Sequence, residues 1–178
     1  RKEAKAAIEA LHACGISKVV MMTGDNRKTA QAVAREVGVD QFYADVLPED
    51  KASFIRQEKS AGRKVIMIGD GVNDTPALSE ADVGIAINTG AAIAREIADV
   101  TIASEDLFEL VTLRKISQAL MNRIHRNYRF IVGFNCMLIA LGVAGVIQPT
   151  TSALLHNAST LGISLDSMTD LLDKEKEC

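Results

Sequence analysis

Twice in its first seventy-four residues the chain drives an apolar run into a glycine–aspartate turn, as KVVMMTGDN at residues 18–26 and KVIMIGDGVND at 64–74. A short apolar run that stops at such a turn reads as a strand entering a loop. Around these runs lie segments of helical spacing that end on glycine: EAKAAIEALHACG at Gly15, KTAQAVAREVG at Gly38 and PEDKASFIRQEKSAG at Gly62. The last opens on Pro48, which suits the first turn of a helix. QFYADV reads as a short strand, TPALSEA as a short helix, VGIAI as a strand, GAAIAREIA as a helix and DVTIA as a last strand. Strands alternating with helices predict an α/β, Rossmann-like parallel sheet with helices on both faces.

In such a sheet the reactive groups collect at the carboxyl ends of the strands. Two polar clusters fall there: Thr23, Gly24, Asp25 and Asn26, and then Gly69, Asp70, Gly71, Val72, Asn73 and Asp74. Between them LPEDK supplies Lys51 near the start of a helix. Asp70 and Asp74 are close enough to repel, and one of two such carboxylates tends to keep its proton. A divalent cation removes that penalty, and magnesium prefers a few hard oxygen ligands completed by water and phosphate. Glycine lets the backbone approach closely, Thr23 can donate to a phosphate oxygen, and Lys51 can neutralise the same group. Singly, each piece has a plainer reading: GDG is a turn, Lys51 a solvated charge, and Thr23, Asp25 or Asn26 a helix N-cap. Together, at equivalent strand ends, they suit a phosphoryl group bound with magnesium.

The second part of the chain differs. Phe130 to Ile147 is 18 residues without a charge, the length at which a membrane span becomes the leading reading. Arg123, Arg126 and Arg129, with His125 among them, precede it as a cytoplasmic-side cluster does. After Gln148 and Pro149, residues 150–172 repeat the length but carry His156, Asn157, Asp166 and Asp170, so this stretch alone is a poor membrane helix. Leu154, Leu161, Leu165 and Met168 share one arc; His156, Ser159, Thr160, Asp166, Ser167 and Asp170 share the other. One face can meet lipid while the other meets neighbouring helices or an ion path. The alternatives are plain interhelical hydrogen bonds for His156 and Asn157, a solvated Asp170, or an interfacial amphipathic helix. Nitrogen and oxygen ligands fit a borderline or hard divalent ion.

Bulk properties exclude some functions. A net charge of -3 and 4% aromatic residues, with no tryptophan, argue against a nucleic-acid partner. Cys14, Cys136 and Cys178 lie far apart, without zinc or disulfide spacing. No signal peptide is read, and a start at Arg1 is what a fragment or a processed piece would have.

The motifs MMTGDN, LPEDK and MIGDGVNDTPALSEADVGIAI resemble the phosphorylation domain of P-type ATPases, within the haloacid dehalogenase superfamily. GDGVNDTPAL is close to the family's hinge signature, with Thr75 where alanine is more common. IADVTIASEDL, followed by a long helix and two apolar stretches, resembles the heavy-metal branch, with the potassium-pump subunit as nearest competitor. The resemblance runs from about Glu3 to about Leu172. It implies Asp70 as magnesium ligand, Asp74 as support of that site, and Thr23, Gly24 and Asn73 as phosphoryl contacts. It implies Lys51 beside an aspartyl phosphate and Asp25 at the nucleotide side. His156 and Asp166 are candidate ligands of the transported ion as ionisable groups within a membrane stretch, and Asp166 stands where many relatives of this family would carry asparagine.

The resemblance further implies ATP and Mg2+ as cofactors and a metal cation as cargo. The D-K-T-G-T nucleophile, the nucleotide-binding and actuator domains and the metal-selective cysteine helix would lie in a missing N-terminal portion, the natural partner. Alone, this chain should form no phosphoenzyme. Residues 1–112 would be the C-terminal part of the phosphorylation domain, 113–129 a connecting helix, 130–148 and 150–172 transmembrane helices bathed in lipid, and 173–178 a cytoplasmic tail. The protein would sit in the plasma (inner) membrane, its α/β domain cytoplasmic. It would export a heavy metal, a divalent one such as zinc, cadmium, cobalt or manganese being favoured, with lead and copper open. The alternatives are a soluble haloacid dehalogenase-like phosphatase and a non-catalytic regulatory fragment. The apolar span and the absent nucleophile count against the phosphatase.

Overall fold

The computed structural model describes residues 2–69, 72–87, 96–102 and 106–171 and falls into two compact units, Arg1–Thr112 and Leu113–Cys178. In the first unit the order is α1 (Lys2–Ala13), β1 (Val20–Met22), α2 (Arg27–Val37), β2 (Gln41–Tyr43), α3 (Pro48–Ser60), β3 (Ile66–Gly69), a 3₁₀ turn (Val72–Asp74), α4 (Thr75–Glu80), β4 (Val83–Ile87) and β5 (Val100–Ile102). The strand–helix alternation is therefore as the sequence predicts. The helix expected over GAAIAREIA lies almost wholly outside the described residues.

Among the described residues there are two sheets instead of one, both parallel: β1 pairs with β2, and β3, β4 and β5 follow in that order. Met21 lies opposite Phe42, Ile68 opposite Ile85, and Ile85 opposite Val100. An aspartate before the later strand of each pair fixes the register. Asp40 accepts the Val19 N–H at 2.6 Å, Asp82 the Val65 N–H at 3.0 Å, and Asp99 the Gly84 N–H at 2.8 Å. Each thus satisfies a donor at or near the start of a neighbouring strand. Asp82 also accepts from Lys64 Nζ at 2.9 Å, and the Lys64 bond, with the Val65 N–H second, holds its carboxyl below the ordinary 3.8.

The helix stops at glycine are as read. Ile16 N–H donates to the Leu11 carbonyl and Gly15 N–H to that of His12, with Gly15 at φ 87. Arg63 and Gly62 repeat this Schellman turn at the end of α3, with Gly62 at φ 79. α2 is capped by Asn26, whose side-chain oxygen accepts the Thr29 N–H at 3.1 Å. The core is built largely from alanine and isoleucine: Ile55 of α3 and Leu78 of α4 are fully buried where those two helices pack, and Ile85 and Ala86 bury β4.

The second unit is a helical pair. α5 (Phe108–Val143) is one uninterrupted helix of 36 residues that begins in the first unit, and α6 (Pro149–Ser167) has 19. The expected segments 113–129 and 130–148 fall largely within the first of these helices, and 150–172 overlaps the second. The connecting and apolar segments are one helix, and it stops at Val143. Gly145, at φ 72, closes the same Schellman turn, with Val146 N–H on the Leu141 carbonyl. Only about 14 residues of the apolar run stay helical, roughly 21 Å against a hydrocarbon core of roughly 30 Å. Among the described residues no helix is long and apolar enough to cross a membrane. Residues 172–178, the expected tail included, lie outside the described residues.

Within this unit Arg123 caps the end of α6. Its guanidinium donates to the carbonyls of Thr169 at 2.7 Å and Asp170 at 2.8 Å. Arg126 pairs with Asp166 at 2.7 Å, and Asn127 donates to the Ser167 hydroxyl at 3.1 Å. Leu138 is buried, while α6 buries no residue at all.

Candidate functional site

Lys51 stands in the first turn of α3, where Pro48 supplies a preset φ and Asp50 accepts the Leu47 N–H at 3.3 Å. Packing of α3 on α4 aims the lysine at the turn after β3. There Lys51 Nζ meets Asp74 Oδ1 at 2.7 Å, with 14% and 12% of the two side chains exposed. Two strand-end motifs 23 residues apart are thereby joined through a half-buried ion pair. Gly69 makes the approach feasible, because a Cβ on it would stand 2.6 Å from Asp74 Cβ. Asp70 and Gly71 lie outside the described residues. Asn73 is exposed.

The first cluster is tied to the same helix through the β2–α3 loop. Asp45 N–H donates to the Asp25 carbonyl at 2.9 Å and Val46 N–H to the Thr23 carbonyl at 3.1 Å. Asp45 adopts φ 54, a left-handed conformation that aspartate tolerates better than most residues. A Cβ on Gly24 would reach the Val46 carbonyl at 3.9 Å, ordinary contact. Thr23 Oγ1 donates to Asp25 Oδ2 at 3.0 Å and accepts the Asp25 N–H at 3.1 Å. Thr23, Gly24 and Asp25 thus border the loop that leads into α3, and Lys51 touches Asp74 directly. Among the described residues no hydrogen bond joins Thr23, Gly24 or Asp25 to Lys51 or Asp74.

The sequence reading gave Lys51 to a phosphate and Asp74 to a cation. The structure pairs them with one another, so the charge of Asp74 is met by an ammonium. The donors here are oxygen only, which fits a hard ion such as Mg2+. Among the described residues, however, no three His, Cys, Asp or Glu side chains are gathered to hold a metal. Thr75, at the start of α4, has a buried hydroxyl without a hydrogen-bond partner among the described residues.

In the helical pair His156 and Asp166 are not brought together. They are ten residues apart, roughly 15 Å along α6. Asp166 is taken by Arg126, and His156 Nδ1 lies 2.9 Å from Asn135 Oδ1 on α5. An amide oxygen only accepts, so facing Asn135 Oδ1 selects, for a neutral imidazole, the tautomer that donates from Nδ1 and leaves the lone pair at Nε2. Asn135 is a residue the sequence reading missed, although an amide inside an uncharged run was signal enough.

The fold presents parallel strands with glycine–aspartate turns at their carboxyl ends and a lysine–aspartate contact, and residues 1–82 match the family of haloacid dehalogenase-like hydrolases. More narrowly, the chain is homologous to the heavy-metal-transporting P-type ATPases. It is 39% identical over 168 residues to a manganese-exporting P-type ATPase of Mycobacterium tuberculosis, covering 94% of this chain and 23% of that protein. It is 47% identical over 150 residues to a copper-transporting P-type ATPase of Rhizobium leguminosarum bv. viciae, covering 84% and 18%. The crystal structure of a zinc-transporting PIB-type ATPase in its E2.Pi state superposes with a TM-score of 0.88 at 31% identity, over 94% of this chain and 27% of that one. The chain therefore spans about a quarter or less of the length of these relatives.

Proposed function

We propose that this chain is the C-terminal part of an ATP-driven heavy-metal export pump that works through an aspartyl phosphate. The observation that carries this reading is the Lys51–Asp74 contact, which draws the loops after β2 and β3 onto one point. Asp70 and Asp74 would hold Mg2+, which supplies charge neutralisation at the phosphoryl oxygens. Thr23, Gly24 and Asn73 would bind those oxygens, and Asp25 would lie toward the nucleotide. Lys51 would exchange its bond to Asp74 for one to the phosphorylated side chain, a positioning that the flexible lysine stem permits. β1 and β3 each keep an edge unpaired by any described strand, so one further parallel strand from the rest of the pump would fit there and bring the nucleophile.

The helical pair is read as part of the membrane section, with one face toward lipid and the other against helices from elsewhere in the pump. Its apolar exposure supports this: Tyr128 is 65% exposed, Ile139 66% and Leu154 69%, too much for a water-facing unit with a single buried leucine. His156 and Asn135 would face the ion path, with Nε2 as the free ligand. Asp166 is better read as the anchor of Arg126. Nitrogen and oxygen donors favour a divalent ion, and the relatives' manganese, copper and zinc leave its identity open.

The test is ATP hydrolysis by the full-length protein under manganese, zinc and copper. Asp70→Asn should abolish metal-stimulated turnover, and His156→Ala should remove metal stimulation while ATP binding persists. Unaltered turnover in Asp70→Asn would remove that residue from the site and the pump reading with it.

A further inference from the structure

Between Glu109 and Asp166 the sequence has no acidic residue but five basic ones, Arg114, Lys115, Arg123, Arg126 and Arg129. The structure neutralises these unevenly. Arg126 has the Asp166 carboxylate. Arg123 spends its N–H groups on carbonyl and hydroxyl oxygens of residues 167–170, which satisfy its donors and cancel none of its charge. Arg129 makes one long contact, Nε to the His125 carbonyl at 3.4 Å. Among the described residues, neither Arg123 nor Arg129 meets a carboxylate.

These side chains are not scattered. Asn122, Arg123, His125, Arg126, Tyr128 and Arg129 line one open groove of about 700 Å³ within the second unit. Immediately beyond it the surface turns apolar, with Phe130 52% and Ile131 41% exposed and the Phe130 and Phe134 rings stacked at 5.5 Å. A ligand matching both halves carries an anionic head, accepts hydrogen bonds from guanidinium and amide groups, and continues as hydrocarbon. A planar guanidinium fits a phosphate diester, and a tyrosine at the boundary suits the level of lipid headgroups.

We propose that this groove is a binding site for the phosphate headgroup of an anionic phospholipid, with Arg129 as its principal free cation. Arg123 adds charge from its capping position, and Asn122 and Tyr128 add polar edges. This rests on the reading of the helical pair as membrane-embedded, and it adds a selectivity that the reading does not require. The charge preference should be about fivefold per uncompensated arginine near the surface and should fall as salt screens it.

The test uses the full-length protein reconstituted in phosphatidylcholine bilayers, with spin-labelled phosphatidylglycerol or spin-labelled phosphatidylcholine as the probe. The spectrum reads the fraction of lipid immobilised on the protein. Phosphatidylglycerol should be immobilised more than about fivefold in preference, since Arg123 adds to Arg129. Arg129→Gln should cut that preference about fivefold, Arg129→Lys should keep most of it, and Arg63→Gln, in the other unit, should leave it intact. Arg129 has little structural bonding to lose, so its loss should not unfold the pair. Equal immobilisation of both lipids by the wild type, or an unchanged preference in Arg129→Gln, would overturn the proposal. So would displacement of phosphatidylglycerol by inorganic phosphate at matched ionic strength, which would make the groove a site for the free anion. If the protein failed to enter phosphatidylcholine bilayers at all, the membrane reading itself would fall, a result distinct from these.

Discussion

Lys51 and Asp74 come from different motifs, and each is largely withdrawn from water with the other as its partner. Removing one strands the charge of the other, which in partly buried pairs costs on the order of 3 kcal/mol. Lys51→Met should therefore lower unfolding free energy by about 3 kcal/mol in urea denaturation, and the double variant Lys51→Met, Asp74→Leu should recover at least half of that loss. A loss no greater than about 0.5 kcal/mol in the single variant would mean that the pair is solvated and carries little. The placement of these residues was legible in the sequence, since Thr23 follows β1, Lys51 opens α3 and Asp74 follows β3, as the strand-and-turn pattern predicts. Their mutual bonding was not. It depends on the packing of α3 on α4, and side chains 23 residues apart leave no trace of such a contact in a local pattern. His156 makes the same point. Its arc on α6 was readable from the 3.6-residue period, whereas its partner Asn135 belongs to another helix.

Elements were legible wherever a terminator stood beside a periodic run. Gly15, Gly38 and Gly62 end helices as read, and Asn26 begins one. Gly145 does the same for α5, yet an uncharged run weighed by hydropathy alone runs straight through it to Ile147. Gly142 and Gly145 look alike in sequence, and only the second adopts the positive φ that turns the chain. The three register aspartates were also hidden, because an aspartate before a strand reads as loop polarity. Asp82 offers a test at this scale. Its folded carboxyl titrates below the ordinary 3.8, chiefly through Lys64 and then the Val65 N–H. A depressed folded value means that the stabilisation is fully present above the unfolded pKa and disappears as pH falls through the folded one. Wild type should therefore lose melting temperature more steeply than Asp82→Asn as pH drops from about 5 toward 2, and the two curves should converge at the acid end. Parallel curves across that range would show that Asp82 does not hold the β3–β4 register by its charge.

Across the whole molecule, the sheet expected to be single is divided between β2 and β1 on one side and β3, β4 and β5 on the other. α3 follows the first sheet and packs on α4, which connects β3 to β4 in the second, so helix packing joins parts that strand pairing leaves separate. Alternation of strand and helix predicts parallel strands but is silent on whether every neighbour in the sheet comes from the sequence at hand. β3 bears the mark of an incomplete layer: Ile66 and Ile68, on one face of the strand, are 44% and 36% exposed, whereas β4 is buried. Unpaired edges with apolar side chains are a liability that a further strand and its covering segment would remove. Covering the two isoleucines alone is worth about 1–2 kcal/mol by area, before any backbone pairing. At about 4–8 °C per kcal/mol for a domain of this size, extending the chain upstream to include the preceding strand should raise the melting temperature of the α/β unit by about 5–15 °C. Amide exchange should slow at Val20–Met22 and Ile66–Gly69 together, because one inserted strand pairs with both edges. Slowing at one edge alone would mean that the added sequence docks elsewhere, and that the nucleophile of the proposed phosphoryl transfer does not enter between β1 and β3.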